Sequence, residues 1–82
     1  MNLKQVYRQQ DEKELLLQIL ERRIPLLPDP LPEILERGLV KLSLENYQGA
    51  LQDLELFVKE TSDLRMRKLV EERLDAIRLL RN

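Results

Sequence analysis

The chain contains no cysteine and no histidine among its 82 residues. Without cysteine there are no disulfides and no thiolate chemistry, and without histidine the commonest general base and metal ligand is missing. The aliphatic hydroxyls are confined to Ser43, Thr61 and Ser62, and no imidazole is present to activate them. We therefore expect no enzymatic activity, no cofactor and no metal site.

Aromatic residues and net charge are also scarce. Only Tyr7, Tyr47 and Phe57 are aromatic, and the net charge is −1 with both signs mixed along the chain. Nucleic-acid binders usually carry a basic stripe, with aromatic stacking residues when the target is single-stranded, so we expect no nucleic-acid partner. No apolar run is long enough to span a bilayer and no signal peptide is predicted. We expect a cytoplasmic protein that does not bind membranes.

The remaining composition describes a small helical domain. Hydrophobic residues make up 43% of the chain and charged residues 35%, a balance typical of a folded protein. A domain of this size buries only about 60–65% of its unfolded surface, so apolar area can stay exposed for a partner.

The spacing of apolar residues predicts an all-α fold of about five helices. The first covers residues 3–9, and a second begins at the Asp11-x-x-Glu14 sequence, which is typical of a capping box. All four prolines fall between Pro25 and Pro32, where they end the second helix and hold an extended connector. The other three helices are predicted at residues 32–44, 47–60 and 63–81.

Small residues give the helices a repeating pattern. Gly38 and Ala50 lie in neighbouring predicted helices, which can therefore pack closely as an antiparallel hairpin. A shift of about 34 residues aligns Leu16 with Ala50 and Leu20 with Leu54. The pattern resembles the tetratricopeptide repeat, a helix-turn-helix unit that serves as a protein-binding scaffold. The residues that carry the resemblance are Tyr7, Leu16, Leu20, Pro28, Gly38, Tyr47, Ala50 and Leu54.

The resemblance implies a single domain over residues 1–82. Its parts would be a first hairpin repeat at about 1–28, a second at about 31–61 and a capping helix at about 63–81. Leu16 stands where the family usually has a small residue, and Arg37 and Lys41 stand where large apolar residues are usual. We interpret Arg37 and Lys41, one turn apart, as a solvated face rather than a ligand-binding one. An unrelated helical bundle is the alternative to the repeat.

One relative within this superfamily looks closer. The sequences NLKQVY at 2–7, PDP at 28–30, RGL at 37–39 and ALQDLE at 50–55 resemble the C-terminal repeat tail of bacterial SirB-type transglutaminase-like proteins. In that family the tail follows a domain with a Cys-His-Asp plan, of which this chain has neither Cys nor His. The resemblance implies a tail without its catalytic-like body.

The family fold also predicts a binding surface, because the first helix of each hairpin lines the concave side. By this frame the binding residues are Leu35, Leu39, Leu42 and Ser43 in the third helix, and Gln5, Arg8 and Gln9 in the first. Family members that capture carboxylate tails of chaperones use Lys, Asn and Arg at such positions, so Leu35 and Leu39 argue against that function. The row formed by Leu35, Leu39 and Leu42 has a second interpretation, as core beneath the capping helix or beneath a fold-back of the first helix.

These observations predict a protein–protein interaction scaffold that docks an apolar peptide or a neighbouring domain. Two alternatives stay open. One is a self-associating domain that buries the leucine row in a homodimer. The other is a regulatory tail of a transglutaminase-like protein.

Overall fold

The structure is a computed structural model that describes the backbone of residues 3–81 and the side chains of residues 8–80. Within these residues the chain forms α1 (Leu3–Arg23), α2 (Leu31–Ser43), α3 (Tyr47–Glu60) and α4 (Leu64–Arg81). A short 3-10 helix, Ile24–Leu26, follows α1. No strand occurs in the described range, and the predicted all-α fold is confirmed.

The predicted break between the first two helices is wrong, because α1 continues through it. The residues between Gln9 and Glu14 include neither glycine nor proline, and Gln, Glu and Lys all favour the helix. The Asp11-x-x-Glu14 sequence therefore has no helix end to cap. The residues expected to form the first hairpin make one helix instead, and the described residues hold four α-helices rather than five.

The proline-rich segment behaves as predicted. α1 ends at Arg23, and Pro25 lies inside the 3-10 helix that follows. α2 then begins at Leu31 with a proline in its first turn, where the missing N–H costs nothing. The Leu31 backbone N–H donates to Asp29 Oδ1 at 3.3 Å, which ties the connector to the start of the helix.

The turn between α2 and α3 is closed by backbone and side-chain caps. Glu45 adopts a left-handed conformation with φ of 62°. The Asn46 N–H donates to the Lys41 carbonyl at 2.9 Å, and the Glu45 N–H donates to the Leu42 carbonyl at 3.0 Å. This pair of bonds forms a Schellman motif. Asn46 Oδ1 then accepts the Gly49 N–H at 3.1 Å and caps α3. The reversal makes α2 and α3 antiparallel neighbours.

The core lies where α3 packs against both α2 and α4. Leu54, which is fully buried, lies among a cluster of apolar side chains from α3 and α4. The other buried members are Leu51, Phe57, Val70, Leu74 and Ile77. Side chains of α2 complete this cluster from the other side, and α1 packs on α2. Helices α2 and α4 therefore both pack on α3.

Candidate functional site

A groove runs between α2 and α4, above the α3 helix on which both pack. Its volume is about 350 Å³. We call it the α2–α4 groove. Its lining residues are Leu35 and Leu39 from α2 and Met66, Leu69, Val70, Glu72, Arg73 and Ala76 from α4.

The α2–α4 groove has a fixed floor and an exposed apolar rim. Val70 is buried in the core, and Leu35 is partly buried and packs against it. On the rim, Leu39 keeps 39% of its surface exposed and Leu69 keeps 52%. Exposed leucines on two different helices that face one concavity are a feature of binding sites rather than of scattered surface residues.

A second, acidic pocket extends the groove towards the start of α4. It has a volume of about 500 Å³ and shares Leu35 and Met66 with the groove. Among the described residues that line it, three carry carboxylates, Asp29, Glu60 and Asp63, and none is Lys or Arg. Groove and pocket adjoin at Leu35 and Met66, and we call the two together the channel. The channel is acidic at the pocket, whereas Glu72 and Arg73 line the groove further along α4.

Two of these carboxylates are held by helix ends. Asp63 Oδ1 accepts the N–H groups of Arg65 and Met66, each at 3.1 Å, and so caps the start of α4. Asp29 Oδ1 accepts the Leu31 N–H at the start of α2. The positions of both acids are thus set by the helices that flank the channel.

The structure brings together only some of the predicted binding residues. Leu35 and Leu39 both line the groove, whereas Leu42 packs against the core. The Ser43 hydroxyl donates to the Val40 carbonyl at 2.7 Å, within its own helix. The leucine row is therefore divided between the two interpretations, since Leu42 belongs to the core and Leu39 to the groove rim.

The predicted binding residues of α1 lie elsewhere. Arg8 and Gln9 are exposed on α1, and neither is among the residues that line the α2–α4 groove. The side chains of Gln5 and Tyr7 fall outside the part of the chain whose side chains are described. The merged α1 helix explains the difference, because no separate first helix lies beside α2 as the repeat frame required.

The predicted signature residues are mostly interior. Gly38 and the side chains of Leu20, Ala50 and Leu54 are buried, and Tyr47 packs against the core cluster. Two others are less enclosed, since Leu16 is half-buried and Pro28 is exposed.

Gly38 marks a close approach of α2 and α3, as its small size predicted. A Cβ atom at this position would lie 3.0 Å from Asp53 Cβ and 3.0 Å from Leu54 Cδ2. The three atoms nearest to that Cβ belong to Asp53 and Leu54, one turn beyond the expected neighbour Ala50. Any larger side chain must therefore displace the interior of the hairpin.

The interpretation of Arg37 and Lys41 as a solvated face is wrong. Arg37 Nη2 lies 2.7 Å from Asp53 Oδ1, and Lys41 Nζ lies 3.2 Å from Asp53 Oδ2. Asp53 is only 3% exposed, and both cations are largely enclosed. The hydrogen bonds to Asp53 hold the pKa of the Arg37 guanidinium above its ordinary value, although burial alone would lower it. The signal was present in the sequence: the acid Asp53 lies between apolar Leu51 and Leu54, opposite two bases at positions where the family is usually apolar.

The described residues offer neither a metal site nor a membrane span. No group of three or more acidic, histidine or cysteine side chains there could hold a metal ion. Among the described helices, none combines the length and the apolar character needed to cross a bilayer.

Comparison with known families identifies the architecture. The model of the family described as tetratricopeptide repeat matches residues 3–75, which is most of the chain. The chain belongs to the tetratricopeptide repeat family. No curated protein and no solved structure matched it significantly. Members of this family are helical repeat scaffolds that generally bind other proteins.

Proposed function

We propose that this chain is a non-catalytic interaction scaffold that docks an apolar helical segment of a partner protein, or of a neighbouring domain, in the α2–α4 groove. The observation that carries the proposal is the pair of exposed leucines, Leu39 and Leu69, on opposite walls of a groove with a core floor. Amphipathic helices commonly bind such grooves by inserting apolar residues spaced three and four apart.

The energetics favour a transient complex. Complete burial of a leucine side chain stabilises a complex by about 1.5–3 kcal/mol, and association itself costs several kcal/mol. Leu39 and Leu69 are already partly covered, so each gains only a fraction of that amount. A partner that contributes two apolar residues of its own would therefore form a weak complex, because the cost of association offsets much of this gain.

A displayed library of random helical peptides tests this function, because it samples many possible partner helices at once. We expect selection on the wild-type protein to enrich peptides with apolar residues one turn apart. Those peptides should lose binding to Leu39→Glu and Leu69→Glu, which place a charge in the groove. They should keep binding to Leu56→Glu, which makes the same change at a leucine of α3 that is also 39% exposed and is not among the residues that line the groove. Enrichment that Leu69→Glu does not reduce would contradict the proposal.

The neighbouring-domain form of the proposal rests on the resemblance to the SirB-type tail. In that form, a helix of a transglutaminase-like domain in the same protein occupies the groove. The chain then acts as a regulatory tail of that domain, and the protein is cytoplasmic. Coexpression of this chain with such a domain tests it, since binding should then require Leu39 and Leu69. Copurification that is indifferent to both substitutions would refute this form.

Self-association is the second candidate function. It is favoured because α1 carries exposed apolar side chains in addition to the exposed leucines of the groove.

A further inference from the structure

We infer that the α2–α4 groove accepts helix α1 of a second copy of this chain, so that two copies dock reciprocally while each α1 stays packed on its own α2. This inference rests on the proposed function, since it takes the same groove as the docking surface. It adds the identity of the occupant.

Helix α1 carries an exposed apolar stripe. Leu15 is 57% exposed and Ile19 is 44% exposed, and the two lie one turn apart on the same face. Another face of α1 is occupied, since Leu20 is almost fully buried and α1 packs on α2. The exposed pair therefore faces away from its own domain, as an anchor for a groove would.

Opposite charges flank this stripe. Residues 11–14, before the apolar pair, are Asp-Glu-Lys-Glu with an exposed Glu12, and after the pair Glu21 is followed by the exposed bases Arg22 and Arg23. Arg22 follows Glu12 by ten positions. At a rise of about 1.5 Å per residue, an acid and a base are therefore separated by about 15 Å along the helix.

The channel beside α4 has the complementary order of charges. Asp63 lies at the acidic end, with Asp29 and Glu60 in the same pocket, and Arg73 lines the groove together with its neighbour Glu72. Arg73 also follows Asp63 by ten positions, which again corresponds to about 15 Å. The apolar walls of the groove lie between these two charges.

An antiparallel alignment of α1 with α4 brings opposite charges together at both ends of the apolar stripe. With Glu12 beside Arg73, the same register places Arg22 beside Asp63. A parallel alignment would instead bring Glu12 to the acidic pocket and repel it.

The same antiparallel register also matches the apolar residues between the two charge pairs. It places Leu15 opposite Val70, next to Leu69, and Ile19 opposite Met66. The charge order thus selects one direction of docking and one register. A reciprocal dimer is expected because contacts of this kind usually close with two-fold symmetry.

Charge reversal tests the register. We expect sedimentation velocity to show a dimer for the wild-type chain, and Glu12→Arg or Arg73→Glu alone to raise the dimer dissociation constant about tenfold. The two reversals combined in one chain should restore it to within about threefold of wild type, because they recreate the pair with opposite sign. Lys68→Glu, an exposed reversal on the same helix away from the groove, should change it less than threefold. A double variant no tighter than the single variants would overturn the register and with it the inference.

Mixing two defective variants tests the identity of the occupant. Leu15→Glu spoils the α1 stripe and Leu69→Glu spoils the groove, so each alone should be monomeric at about 100 μM while its circular dichroism spectrum stays helical. Their mixture should form a heterodimer, since one chain retains the stripe and the other retains the groove. A mixture that stays monomeric, or a wild-type chain that is itself monomeric, would overturn the inference. A monomeric wild type that still selects peptides dependent on Leu69 would leave the proposed function standing.

Discussion

Arg37 on α2 donates two hydrogen bonds to Asp53 on α3, from Nε to Oδ2 at 2.9 Å and from Nη2 to Oδ1 at 2.7 Å. Lys41, one turn further along α2, reaches the same carboxylate. A two-pronged contact of this kind has strict geometry, so it holds the two helices in one register. The hairpin that forms one wall and the support of the groove is therefore fixed by charge as well as by packing.

Removal of the shared carboxylate is predicted to destabilise the hairpin strongly. Asp53→Asn leaves two largely enclosed cations without their acid, and we expect the free energy of unfolding to fall by about 2–4 kcal/mol in chemical denaturation. Glu55→Gln is the matched control, because its ion pair with Arg78 is half-exposed on both sides and is worth under about 1 kcal/mol. Equal losses for the two variants would contradict a special role for Asp53.

The contribution of Arg37 should not depend on pH in the neutral range. Its folded-state pKa is raised, so the stability that it adds is complete below its unfolded pKa and is lost only as pH rises through the higher folded value. Between about pH 5 and pH 9 we expect the loss caused by Arg37→Lys to stay constant. That variant keeps the charge and loses the two-pronged geometry, so the loss should be about 1 kcal/mol. A loss that changes several-fold across this range would show that a different group sets it.

A large side chain at Gly38 is predicted to separate α2 from α3. Gly38→Leu must displace Asp53 and Leu54, which lie 3.0 Å from the position of a Cβ. We expect the free energy of unfolding to fall by about 2–3 kcal/mol, despite the better helix propensity of leucine. Glu36→Leu, on the exposed face of the same helix, should change it by less than about 0.5 kcal/mol. A Gly38→Leu variant as stable as wild type would refute the close approach.

The sequence predicted the second hairpin well and the first one poorly, for physical reasons. Proline, glycine and asparagine each have strong local structural preferences. Pro25 and Asn46 therefore indicated helix ends, and Gly38 indicated a close contact between helices. Asp11 also resembles a helix cap. Because no residue before it prevents a helix, α1 continues through this position.

The candidate site was predictable only in part. Leu35 and Leu39 followed from the family frame, but the α4 wall and the acidic pocket depend on how α4 lies against α2. The spacing of residues along one helix does not predict how that helix lies against another.

A glycine at the left-handed turn residue should stabilise the protein, which tests the cap at the end of α2. Glu45 adopts a positive φ that favours glycine, so Glu45→Gly should raise the free energy of unfolding by about 0.5–1 kcal/mol. Glu36→Gly should lower it by about 1 kcal/mol, because that position is inside α2. Thermal melts of the two variants should therefore shift in opposite directions. A shift of Glu45→Gly to lower temperature would refute the cap.

The measurement that bears most directly on the groove compares Leu39→Glu with Leu54→Glu in circular dichroism melts. Leu54 is fully buried, so its replacement places a carboxylate in the core and should unfold a domain of this size. Leu39 stands on the groove rim in contact with water, and its replacement should lower the melting temperature by only a few degrees and leave the helical signal intact. Equal collapse of both variants would show that Leu39 belongs to the core and that the α2–α4 groove is not a free binding surface.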